Sequence, residues 1–172
     1  MKEIIRAPHS GFCFGVKSAI DKAMDAESGK TIYTCGPLIH NKRVTDALKE
    51  KGIGVVDAPE DAPEGSVIIV RSHGEPEEFY RRAETEGLEI IDATCPYVKR
   101  IHDLVNEAYK EGKQILIVGD RNHPEVIGIN GWCDNSAIIV SSREETVDSI
   151  PQMKEPLFLV TQTTIQKDTL AL

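Results

Sequence analysis

The sequence predicts an α/β fold built from repeated small parallel-sheet modules. Short β-branched runs alternate with amphipathic helical windows along the chain, as in successive βαβ units. Runs such as VIIV and ILIV are apolar throughout, which suits strands covered by helices on both faces. The polar residues at strand ends also recur: 27 positions lead from Cys13 to His40 and 28 from Cys95 to His123. In each case a cysteine opens a helix and a histidine follows the next strand, which marks two related modules.

The elements follow in order. EIIRA reads as a first strand, and Val16, Ala19, Ile20, Ala23 and Met24 then fall on one face of a helix. TIYTC is a strand, NKRVTDALKEKG a helix closed by Gly52, IGVV a strand and DAPEDAPEG a loop. VIIV leads through a loop to a helix entered at Pro76 and left at Gly87. LEIID and the helix after Cys95 repeat the theme, and KQILIVGD, HPEVIGINGW, SAIIVSS, REETVDSI and LFLVTQTT continue it. In the second module Thr163 and Thr164 take the strand-end place of His73. By the repeat, a further cysteine is expected about twenty residues or more beyond Thr163.

Composition narrows the function. With 172 residues and 40% apolar content the chain can bury one ordinary core or two small ones. A formal charge of -8 and a pI near 5.2 argue against general nucleic-acid binding, so any anionic ligand must be held by local groups. Neither a membrane-length apolar run nor the start of a signal peptide is visible, and the expected location is the cytoplasm. The four cysteines form no CxxC pair; a disulfide scaffold or self-contained zinc module is not indicated.

Ligands of open α/β sheets bind beyond the carboxyl ends of the strands. Cys13, His40, His73, Cys95, His123, Glu125 and Thr163 all have that placement. Helix N-termini there favour thiolates and phosphate oxygens, and the glycines of GFCFG permit close approach. Each residue also has a bland reading. Cys35 and Cys133, with no helix start or glycine cradle beside them, read as small core residues, whereas Cys13 and Cys95 read equally as core or functional thiols. His102, inside a helix beside Asp103, reads as a surface residue, and His9 is ambiguous. His40, His73 and His123 suit helix caps or core positions singly, but three at equivalent strand ends favour a site. In HPEV, Glu125 is either a proton carrier in a closed site or an acidic residue favoured by the helix dipole.

GFCFGVKSAI, GPLIHNKRVTDAL, RSHG, DATCPYVKRIH, NHPEVIGINGW and TQTT, in this order, resemble the motifs of the LytB/IspH family of hydroxymethylbutenyl diphosphate reductases. The resemblance runs through the whole chain. It implies three similar modules around a central cavity that holds a [4Fe-4S] cluster, two of them present here. Cys13 and Cys95 match two of three cysteine ligands; the third, and a Ser-x-Asn segment for the diphosphate, belong to a module outside this chain. Residues 1–13 are expected as an N-terminal strand and cluster loop packing with that third module, 14–95 as the first module and 96–172 as the second, cut short at its C-terminal end.

By the same resemblance His40, His73 and His123 bind the diphosphate, with Thr163 and Thr164 beside them, and Glu125 with Thr163 delivers a proton. The implied reaction removes the hydroxyl of 4-hydroxy-3-methylbut-2-enyl diphosphate, giving isopentenyl and dimethylallyl diphosphate. The implied partners are that small-molecule substrate and an electron donor such as ferredoxin or flavodoxin, with no nucleic acid and no membrane. Activity of the chain alone is expected to be impaired, and apolar surface left by the missing module favours self-association. The alternative is a non-catalytic diphosphate- or partner-binding α/β protein without a cluster. A thiol redox module fits poorly without a cysteine pair.

Overall fold

A computed structural model describes residues 4, 5, 7, 10–26 and 29–165. Its elements are α1 (Phe14–Asp25), β1 (Ile32–Cys35), α2 (Lys42–Glu50), β2 (Gly54–Val56), β3 (Val67–Val70), α3 (Glu77–Thr85), β4 (Glu89–Asp92), α4 (Pro96–Lys110), β5 (Gln114–Val118), α5 (Pro124–Gly131), β6 (Ile138–Val140), α6 (Arg143–Ser149) and β7 (Leu157–Thr161). The strands form two sheets, ordered β2-β1-β3-β4 and β6-β5-β7, with every pairing parallel. In both, the first strand sits between the second and the third, so β5, β6 and β7 repeat β1, β2 and β3. The α/β class and the modular repeat read from the sequence are the architecture observed.

Strand geometry explains the apolar runs. Val67 to Val70 are fully buried, and alternate residues serve opposite faces. Val67 and Ile69 pack with Ala19 and Ala23 of α1 and Leu48 of α2, whereas Ile68 and Val70 pack with Phe79 and Ala83 of α3. In the second sheet Ile115 and Ile117 meet Val105, Val126 and Ile129, while Leu116 and Val118 meet Val140. Cys35 and Cys133 lie in these cores, as expected. Gly52 and Gly87, which end α2 and α3, have φ of 88° and 66°, the left-handed conformation that glycine supplies at a helix exit.

Three expectations need correction. Ile4, Ile5 and Ala7 carry no strand, and Ile4 and Ile5 are 94% and 84% exposed; no described strand pairs with them, and a strand needs a partner for its backbone groups. The rest of EIIRA lies outside the described residues, as does His9. Met24 ends the apolar face of α1 in solvent, because that helix buries only its small residues Gly15, Ala19 and Ala23. His102 is a core residue, 2% exposed, because α4 packs its face into the junction of the two modules, where the ring stacks on Trp132. The loop DAPEDAPEG also contains a short 3-10 turn at Pro59–Asp61. No described helix is long and apolar enough to cross a membrane.

Candidate functional site

Three histidines come from three different loops. His40 follows β1, in a turn between the buried Leu38 and Ile39 and the α2 cap Asn41. His73 lies in the loop after β3, and His123 caps α5 after β5. Their rings form a chain, with centroids 5.7 Å apart for His40 and His73 and 5.5 Å for His73 and His123. Burial pushes His73 down to about 4, helped by the nearby His123, Arg71 and His40. The central ring is therefore neutral at pH 7. His123 Nδ1 accepts from the Glu125 N–H at 3.1 Å, which leaves Nε2 as the nitrogen able to donate. Such a cluster can offer ring N–H donors to an anion.

Glu125 sits in the first turn of α5 and is 2% exposed. A carboxyl so buried needs partners for both oxygens. Thr163 supplies them: its N–H donates to Oε1 at 2.6 Å and its hydroxyl to Oε2 at 2.7 Å. The turn that carries Thr163 follows β7 and is itself fastened by Gln162, which accepts from the Asp120 N–H at 3.1 Å and donates to Thr164 Oγ1 at 2.8 Å. The two threonines are exposed, and of the two Thr163 alone contacts the carboxyl. Chemically the pair holds an ionisable oxygen in fixed orientation at a helix N-terminus, beside a histidine cluster.

Cys13 and Cys95 are the N-cap residues of α1 and α4, Cys13 exposed and Cys95 half-buried. A Cβ on Gly15 would lie 2.4 Å from Cys95 Sγ, so only glycine lets the first turn of α1 close onto that thiol. The Cys95 N–H donates to Ser72 O at 2.9 Å, which ties the thiol to the loop of His73. Thiols are the donors that iron-sulfur clusters take, and these two fit that role in residue type and helix-start placement. Two are fewer than a cluster requires, and among the described residues no third His, Cys, Asp or Glu completes a metal-binding group. Cys35 offers no substitute: burial pushes its thiol up to about 11 and it donates to Asp57 O.

Residues 4–171 match the family described as "LytB protein". The chain belongs to the LytB family. LytB relatives named 4-hydroxy-3-methylbut-2-enyl diphosphate reductase include that of Alkaliphilus oremlandii, 49% identical over 95% of this chain and 58% of its own length. Another, from Clostridioides difficile, is 44% identical over 94% and 59% respectively. A solved (E)-4-hydroxy-3-methyl-but-2-enyl diphosphate reductase, described as the terminal enzyme of the non-mevalonate pathway, superposes with a TM-score of 0.84 at 40% identity, covering 99% of this chain and 62% of that one. The Plasmodium falciparum reductase also gives 0.84, at 32% identity, covering 94% and 51%. The chain thus spans about six-tenths of the length of these two curated relatives.

Several residues around this candidate site escape sequence reasoning. Arg71 Nε donates to Glu75 Oε1 at 2.5 Å across the His73 loop, and the Trp132 indole N–H donates to Glu75 O at 3.0 Å. Their only sequence signal is that Arg71 and Trp132 belong to RSHG and GINGW and that Glu75 follows RSHG directly, which fixes neighbourhood without contact.

Proposed function

We propose that this chain is the N-terminal portion of a 4-hydroxy-3-methylbut-2-enyl diphosphate reductase. In this reading residues 1–13 form the cluster loop, 14–95 the first module and 96–172 the second, and a third module completes the cavity. The observation that carries the proposal is the Glu125–Thr163 pair set beside three clustered histidines in a LytB chain.

His40, His73 and His123 bind the diphosphate through ring N–H groups, and the N-terminus of α5 adds its positive end. Thr163 and Thr164 border the substrate at the other side of Glu125. Glu125 holds a proton at its carboxyl, oriented by Thr163, and gives it to the departing hydroxyl oxygen, which leaves as water. Glu125 itself is shielded from bulk water, being 2% exposed. Cys13 and Cys95 would hold a [4Fe-4S] cluster together with a third cysteine from outside this chain, and that cluster would supply the two electrons. With a second proton the balance is ROH + 2e⁻ + 2H⁺ → RH + H₂O, and protonation at either end of the allyl group gives isopentenyl or dimethylallyl diphosphate. A small electron-transfer protein such as ferredoxin or flavodoxin delivers the electrons, in the cytoplasm. The lone chain self-associates through its exposed apolar residues.

Anaerobic reconstitution with iron and sulfide tests the ligands. Optical and paramagnetic cluster signals should weaken in Cys13→Ser and in Cys95→Ser. Signals that persist unchanged in both would overturn the ligand assignment. Binding of inorganic diphosphate with no cluster signal under any condition would favour a diphosphate-binding protein instead.

A further inference from the structure

We infer that Trp132 and His102 are positioning residues, fastening the loop of residues 71–76, and the His73 ring it carries, onto helix α5. The inference rests on reading His73 as a ligand of the diphosphate and adds what sets its pose.

The His73 ring has little to orient it directly. Its Nδ1 is buried without a hydrogen-bond partner, so its position is inherited from the backbone beneath it and from the rings on either side. That backbone is held from the second module. The Trp132 indole, at the end of α5, donates to Glu75 O at 3.0 Å, and its ring meets that of Tyr80 with centroids 5.8 Å apart. His102, from α4, stacks on the same indole at 5.5 Å. It also presses on the loop: a Cβ on Gly74 would lie 2.4 Å from His102 Cε1, and one on Gly128 of α5 would lie 3.4 Å from His102 Nε2 and 3.5 Å from Gly74 O. Gly74 thus threads between the imidazole and α5, with φ of 74° and its N–H on Arg71 O at 3.0 Å. Below it, a Cβ on Gly131 would lie 2.3 Å from Pro76 Cβ.

His102 is an expensive choice for a slot that only needed filling. Its Nε2 is buried with no partner, a cost that an apolar ring or a leucine would avoid. A flat ring that stacks on Trp132 while leaving room for Gly74 and Gly128 explains its presence better than volume does. Since α5 also carries His123 and Glu125, the clamp sets the distance between the loop of His73 and the helix bearing the other two groups.

The test uses the purified chain and nuclear magnetic resonance of labelled histidines. Trp132→Phe keeps an aromatic ring but removes the N–H donor and part of the indole's area; His102→Ala removes the stack. In both, the Gly74 amide, protected by Arg71 O, should exchange about fivefold or more faster, and the ring contact between His73 and His123 should weaken. Amides of β3 and β5 should exchange as in the parent. If His102→Ala does not fold, Trp132→Phe carries the test alone. Unchanged Gly74 exchange and an unchanged His73–His123 contact in folded Trp132→Phe would overturn the inference. Titration with inorganic diphosphate separates the two readings: a parent chain that binds none counts against the proposed function, while the ring contact still decides the positioning role.

Discussion

Thr163 grips both oxygens of Glu125, its N–H at 2.6 Å from Oε1 and its hydroxyl at 2.7 Å from Oε2. A glutamine at 125 can keep this geometry, since its oxygen still accepts from the N–H and its amide can donate to a turned hydroxyl. Folding is spared and the exchangeable carboxyl is lost. In a form extended to the full length of the relatives, Glu125→Gln should lower kcat by roughly 100-fold or more with KM little changed. Thr163→Val, which keeps the N–H, should cost about tenfold. Steady-state turnover near the parent value in Glu125→Gln would remove the carboxyl from proton delivery.

Gly15 offers a test in which two effects oppose each other. Inside a helix, alanine is favoured over glycine by about 1 kcal/mol. Here the new Cβ would sit 2.4 Å from Cys95 Sγ and 3.1 Å from Cys95 Cβ, an overlap of the kind that costs roughly 1–3 kcal/mol. The clash should win, so Gly15→Ala lowers the urea midpoint, and the loss should shrink in a Cys95→Ala background. An additive double-mutant cycle would mean that α1 does not close on this thiol.

The four cysteines should react in a defined order. Cys13 is exposed and Cys95 half-buried, whereas Cys35 and Cys133 are buried and burial pushes both thiols up, Cys35 to about 11. Alkylation of the native chain at pH 8, followed by mass spectrometry, should label Cys13 first and Cys95 next. Cys35 and Cys133 should label only after denaturant is added. Rapid labelling of Cys133 in the native chain would contradict its place in the second core.

How much of this was legible beforehand depends on whether a feature is local. Strands such as VIIV, the exits at Gly52 and Gly87 and the core places of Cys35 and Cys133 follow from short windows, and all appear where expected. The repeat also brought the strand-end positions of His40, His73 and His123 together in advance, because parallel modules place equivalent loops at one end. The grip of Thr163 on Glu125, 38 residues apart, could not be read from residue types. Nor could the pairing of Trp132 with Glu75, which spans 57 residues. Ile4, Ile5 and Ala7 show the opposite case: these residues carry no strand where no described strand takes their hydrogen bonds. His102 misled for a related reason, since its neighbour Asp103 suggested solvent while the helix turned the imidazole onto Trp132.

That buried imidazole gives the chain an acid sensitivity of known sign. Burial holds His102 down to about 4, as it does His73, against an ordinary value of 6.5. Around His102, Asp92 and Asp103 favour the proton and Lys99 opposes it, but burial outweighs them. Between pH 6.5 and 4 the unfolded chain therefore binds protons at these sites that the fold refuses. Stability is full above about pH 6.5 and falls as the pH drops towards 4. Other groups titrate in the same range, so the difference between parent and variant isolates the contribution of one ring. His102→Gln should lower the urea midpoint at pH 7, because the stack is lost, yet lose less on going from pH 7 to 5 than the parent does. An equal or larger loss in the variant would mean that His102 takes up its proton without leaving the fold.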